Sequence, residues 1–145
     1  MSIDGVAHSH LKHSATTEAI IGTFYEVYNE LGHGFLECVY QEAMSIALHA
    51  RGLSVEREKT VDVVFRNQII GIFRTDLVVD ETVIVELKCA RAIDGNHESQ
   101  LLNYLKATQY EVGLLLNFGT KAQFRRMVFE KARSQYRVAS HNAVL

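Results

Sequence analysis

Asp76, Glu86 and Lys88 are charged residues set in apolar segments, and their types and spacing could do chemistry. Side chains alternate along a strand, so Glu86 and Lys88 share a face. If the segments on either side of Asp80–Glu81 pair as a hairpin, Asp76 comes to lie near Glu86 on the neighbouring strand. Charges buried without partners are costly unless they pair or bind a metal. Two carboxylates and a backbone carbonyl are the hard oxygen donors that Mg²⁺ prefers, and an adjacent ammonium can handle a proton or a developing negative charge. A cross-strand ion pair of Asp76 or Glu86 with Lys88, on a solvated sheet face, explains the same residues. Glu-x-Lys is common, and these three positions alone favour the ion pair.

Two further groups shift that balance. His97, Gln100 and Tyr104 fall at i, i+3 and i+7, one face of a helix that begins shortly after Lys88 and must pack back on the sheet. Upstream, Gly34-Phe35-Leu36-Glu37-Cys38-Val39-Tyr40 sets Glu37 and Tyr40 one helical turn apart behind a glycine break. Each has a plainer account: a helical Tyr usually packs in a core, and a carboxylate at a helix start is favoured by the dipole alone. Their occurrence together, in this order, fits packing much less well. Between Lys121 and Arg137 six basic residues, among them Lys121, Arg125 and Arg126, stand against one acid, Glu130. That excess suits phosphate contacts or a solvated terminal segment equally. His8, His10 and His13 lie in a polar stretch without the surroundings of a built metal site. Cys38 and Cys89 read as small buried residues.

The elements that must position these groups follow from periodicity. Apolar residues from Ile20 to Leu31 recur at helical spacing over Ser14–Leu31, with Ser14 or Thr16 as cap; a second helix runs from Leu36 to Arg51 and Gly52 ends it. The period then becomes two over Val55–Phe65, Ile69–Val79 and Val83–Lys88, an antiparallel meander of three strands. A third helix is expected over Glu98–Gln109, then a strand buried on both faces at Val112–Phe118. Gln123–Arg137 reads as a short strand followed by a helix. The order ααβββαβ, with a C-terminal α/β segment, gives an α/β fold with one mixed sheet flanked by helices.

The chain has 145 residues, 48% apolar and 22% charged, which is enough for one buried core and excludes collagen-like or wholly disordered classes. No apolar run is long enough to span a membrane, and the N-terminal residues lack the apolar region of a secretory signal. With no proline and no Gly/Ser-rich linker, residues 15–138 read as a single domain between tails at 1–14 and 139–145. Two cysteines suit a reducing, cytoplasmic setting, and a net charge of −2 gives no bulk attraction to nucleic acid.

The pattern Gly34-x-x-Glu37-x-x-Tyr40 resembles the signature of the GxxExxY proteins, a bacterial and viral group within the PD-(D/E)xK nuclease superfamily. The resemblance covers roughly Thr17–Phe129. Asp76 followed by Glu86-Leu87-Lys88 is similar to that superfamily's metal-binding and catalytic core, and Gln100-x-x-x-Tyr104 to the helix motif of its RecB-like, lambda-exonuclease-like branch. The resemblance implies a restriction-endonuclease-like fold and a nuclease that hydrolyses phosphodiester bonds of DNA. It implies Mg²⁺ or Mn²⁺ held by Asp76, Glu86 and the Leu87 carbonyl, with Glu37 acting through a second ion or a water. Lys88 would orient or deprotonate the attacking water, and Gln100 and Tyr104 would position Lys88 and the scissile phosphate. Lys121, Arg125 and Arg126 would contact the nucleic acid. The rival reading keeps the fold as a weakly active or inactive module that binds nucleic acid or protein. A small-molecule phosphodiesterase would use the same groups in a closed pocket. A chain of this length has room for no accessory domain to select a substrate, which leaves that task to a protein partner or a second copy.

Overall fold

The two alternating segments expected over 55–65 and 69–79 form one long hairpin that bends in its middle. In the computed structural model, which describes residues 12–131, each segment is divided in two: β1 (Val55–Arg57) and β2 (Thr60–Phe65), then β3 (Gln68–Arg74) and β4 (Leu77–Val79). Arg57 faces Leu77 and Thr60 faces Arg74, the same offset on both sides of the break. The break occurs where Glu58 takes a left-handed conformation, at φ 53°. Hydrogen bonds from Glu58 N–H to the Asp76 carbonyl and from Thr75 N–H to the Lys59 carbonyl, both 2.9 Å, carry the pairing through it. The inner halves join a five-stranded sheet and the outer halves form a separate two-stranded arm. The three-stranded meander is therefore present, with its first two strands folded over. A local backbone reversal in charged residues leaves the alternation of hydrophobicity intact, so periodicity alone does not reveal it.

The main sheet runs β1-β4-β5-β6-β7, with β5 (Val83–Lys88), β6 (Val112–Phe118) and β7 (Ala122–Val128). Its only parallel pair is β5 with β6, joined by helix α3 (Gly95–Ala107). β6 is buried at all seven positions, as expected for an apolar strand covered on both faces. On one face α1 (Ser14–Leu31) and α2 (Glu37–Ala50) bury Ile20, Phe24, Tyr40, Met44 and Leu48 against Leu77, Val85, Leu87 and Leu114. On the other, α3 and the arm bury Leu101, Leu105, Val61 and Phe73 against Val78, Ile84 and Leu115. The outer face of the arm keeps Ile70 and Ile72 in water. No described helix is long and apolar enough to cross a membrane.

Several local expectations are corrected. Neither Ser14 nor Thr16 caps α1, because His13 is the N-cap residue, in a left-handed conformation and without a side-chain bond. α3 begins three residues earlier than expected and ends two earlier: Asp94 accepts from Asn96 N–H at 2.8 Å and His97 N–H at 3.0 Å, and His97 Nδ1 accepts from Asp94 N–H. An imidazole replaces the usual Glu or Gln of that reciprocal cap, which hides the start from a pattern search. Cys38 and Cys89 are both exposed, not buried, since one lies in the first turn of α2 and the other just past the end of β5. The helix expected after β7 and the flanking tails, with His8 and His10, lie outside the described residues.

Two glycines mark where the layers touch. A Cβ on Gly113 would meet the Leu101 methyls at 3.0 Å, whereas one on Gly119 would sit 2.3 Å from the Ala90 carbonyl. Side-chain ends can yield and a backbone carbonyl cannot. Gly113→Ala is expected to cost about 1 kcal/mol and Gly119→Ala about 3 kcal/mol or more in urea unfolding. Equal costs would show that the loop at Ala90 moves freely.

Candidate active site

The hairpin bend delivers Asp76. Just beyond the last ladder pair, Leu77 with Val85, its position is opposite Glu86 on β5. Asp76 Oδ2 accepts from Leu87 N–H at 2.7 Å, and its own carbonyl accepts from Gln41 Nε2 at 3.0 Å, so both ends of the residue are held. Gln41, nearly buried on α2, was not singled out by sequence, because a lone helical Gln has no distinguishing pattern.

Glu86 occupies the interior of the pair. Burial, then the Asp76 charge, pushes its carboxyl from an ordinary value of 4.5 to about 9. Its Oε1 is buried without a hydrogen-bond partner. Such an orphan oxygen is costly and needs a proton or a cation. Glu37 opens α2 and borders the same hollow as Asp76; partial burial and the Asp76 charge raise its carboxyl too. Among the described residues no three His, Cys, Asp or Glu side chains converge into a ready-made cage. The donors present fit a hard cation that keeps most of its water and is held by one or two carboxylates, which is the habit of Mg²⁺.

On the α3 side, Glu86, Lys88, His97, Gln100 and Tyr104 line one cavity together with Phe73 and Leu115. Tyr104 stacks flat on Phe73, centroids 3.7 Å apart, which fixes the ring as one wall. Because His97 Nδ1 accepts from the backbone, Nε2 carries the proton of the neutral ring.

Tyr40 lies apart from this cluster. It is fully buried, stacked on Phe118 at 4.0 Å, with its hydroxyl donating to the Gly32 carbonyl at 2.5 Å and accepting from Phe35 N–H at 3.3 Å. The turn between α1 and α2, with Gly32 at φ 70° and Gly34 at φ 109°, closes around that hydroxyl and so sets the helix start that carries Glu37. Asn117 was also missed by sequence: buried on β6, it donates to the Ala90 carbonyl and accepts from Ala90 N–H, both 2.9 Å, which pins the chain just after Lys88.

The three basic residues do not form one patch. Arg125 faces the α3 side and pairs with Glu98 at 3.0 Å; Arg126, one residue on, turns to the other face and donates to the Lys12 carbonyl. Strand alternation separates what adjacency in sequence suggested. Lys121 is exposed in the β6–β7 turn.

A family model described as the PD-(D/E)XK nuclease superfamily matches residues 14–127. No curated protein matches the sequence. Among solved structures, the chain is similar to an alkaline exonuclease (LHK-Exo) from Laribacter hongkongensis, with 13% identity and a TM-score of 0.49, over 73% of this chain and 63% of that one. It is also similar to SSO0001, with 17% identity and a TM-score of 0.48, over 91% of this chain and 67% of that one. The chain thus spans under two thirds of the exonuclease's length.

The raised Glu86 carboxyl makes stability depend on pH. Between 4.5 and about 9 the folded metal-free protein keeps a proton that the unfolded chain has released. This contribution is complete below 4.5 and is lost as pH rises through about 9. Urea unfolding in EDTA should therefore show stability falling with pH, and Glu86→Gln should flatten the fall and stabilise the protein at its alkaline end. Parallel profiles for wild type and variant would refute the assignment.

Proposed function

Because the chain belongs to the PD-(D/E)XK nuclease superfamily, we propose that it hydrolyses phosphodiester bonds of DNA with the help of Mg²⁺ or Mn²⁺. The observation that carries this reading is the partnerless buried oxygen of Glu86 beside Asp76, on the strand that also presents Lys88. Asp76, Glu86 and the Leu87 carbonyl would hold the ion, with Glu37 acting through a second ion or a water. A divalent cation there supplies Lewis acidity to the phosphoryl oxygens and acidifies a bound water.

The chain's own residues do the rest. Lys88 Nζ orients the attacking water and offsets the negative charge that builds on the non-bridging oxygens. Gln100 supplies an amide to a phosphate oxygen from the exposed side of the cavity, and Tyr104, fixed by Phe73, keeps Lys88 in place. Water adds to phosphorus, the bond to the leaving oxygen breaks, and that oxygen takes up a proton. Lys121 and Arg125 would contact the strand. The glycine–glutamate–tyrosine turn supports membership of the GxxExxY group within the superfamily. We assign the protein to the cytoplasm, with a second copy or a protein partner selecting the substrate. The second reading keeps the same site in a module that binds nucleic acid without cutting it.

Incubation of labelled single- and double-stranded DNA and RNA with Mg²⁺, Mn²⁺ or EDTA tests the proposal. Wild type should cut DNA only with a metal, and Lys88→Ala should lower the rate by at least about 100-fold, the lower range for a positioned catalytic group. In calorimetric titration with Mn²⁺, Lys88→Ala should still bind and Glu86→Ala should not. Binding of Mn²⁺ without cutting would support the second reading; unchanged titration heats in Glu86→Ala would remove the metal site.

A further inference from the structure

Beyond the end of β5, beside the end of β6, lies an open groove of about 410 Å³ that the proposed chemistry does not use. Its walls are the α1–α2 turn with His33 and Phe35, the segment Cys89–Arg91, and the β6–β7 turn with Thr120; Phe118 forms the floor. One wall begins at Cys89, the residue directly after Lys88.

Three observations point to what it takes. First, its lining contains a guanidinium, an imidazole and a hydroxyl and no carboxylate, with the Glu37 charge felt only at Cys89, whereas the hollow at Asp76 is itself bordered by Glu37, Glu58 and Asp76. A polyanion is drawn to the first and repelled by the second. Second, Arg51, Arg57, Arg74 and Arg125 each pair with a glutamate, but Arg91 makes no ion pair among the described residues. It is exposed and free to receive a phosphate. Third, Phe35 is 46% exposed although its position is fixed, its N–H donating to the Tyr40 hydroxyl and its ring packed edge-on against Tyr40 at 5.9 Å. The opposite walls are equally rigid: Asn117 clamps Ala90, and Tyr28 OH donates to the Gly119 carbonyl at 2.7 Å. A rigid exposed ring beside an unpaired guanidinium suits a base and its phosphate, and a base can reach an aromatic face only when it is out of the duplex stack.

We propose that this groove is a nucleotide subsite for single-stranded nucleic acid, holding the nucleotide next to the scissile phosphate with its base on Phe35 and its phosphate on Arg91. The subsite deepens the nuclease reading and rests on it. DNA and RNA share this chemistry.

Cys89 stands in the groove as an exposed reporter. Intact protein in EDTA is treated with N-ethylmaleimide, with and without oligo(dT), oligo(U) or a blunt DNA duplex, and the labelled cysteines are separated by peptide mapping. Single strands should slow labelling of Cys89; protection by oligo(dT), oligo(U) or both tells which polymer fits. By fluorescence anisotropy, Phe35→Ala should weaken single-strand binding roughly tenfold and leave duplex binding unchanged, and Phe35→Trp should restore it. Arg91→Gln should lower the salt slope of single-strand binding by about 0.7, the share of one phosphate contact. If wild type binds single strands while Cys89 labels at the same rate, the groove is wrong and the nuclease reading stands. Protection by the duplex alone also overturns the groove. If wild type neither binds nor cuts any nucleic acid, the nuclease reading falls and the groove with it.

Discussion

Two half-buried carboxylates placed opposite each other, Asp76 and Glu86, set the terms for the rest of this molecule. Asp76 stands opposite Glu86, and burial with the Asp76 charge leaves the Glu86 carboxyl protonated unless a cation intervenes. No apolar core would place two carboxylates there for stability, since a buried pair of like charge lowers it. The surrounding structure holds them regardless: Leu87 N–H grips the side chain of Asp76, Gln41 and Glu58 N–H grip its carbonyl, and β6, buried throughout, leaves β5 nowhere to move. Such strain is usual where function and stability compete for the same residues.

Support for the pair comes from both directions along the chain. Ahead of the sheet, the Tyr40 hydroxyl gathers the turn between α1 and α2 and its ring stacks on Phe118. Behind β5, Asn117 and Gly119 receive the segment at Ala90, so β6 and its turn hold the chain beyond Lys88. Asn117, Phe118 and Gly119 are consecutive residues where β6 ends. The start of α2, with Glu37, and the end of β5, with Lys88, are thereby both referenced to the end of β6.

Much of this architecture is legible in the sequence because it depends on side-chain period. The helical spacing over Ser14–Leu31, the seven apolar residues of β6, and the offset that brings Asp76 beside Glu86 all follow from where apolar residues fall. Backbone reversals in polar residues do not. The left-handed Glu58, and the start of α3 with a histidine completing its cap, leave the hydrophobic pattern untouched. Gln41 and Asn117 are illegible for another reason: each acts through a carbonyl or N–H distant in sequence, and only the folded chain brings these together. Arg125 and Arg126 show the converse, where adjacency suggested a patch that alternation divides.

The bend in the hairpin separates two kinds of inheritance. Pairing keeps the same offset on both sides of Glu58, so the ladder that fixes Asp76 is complete before the arm begins. Residues can be added to or removed from the arm, one on each strand, without moving a carboxylate. Its tip, already rich in water-exposed isoleucine, is then free to diverge under its own selection. Relatives should differ most in the length and character of this arm while the strands below it stay in step, a hinge between what must be kept and what can be tried.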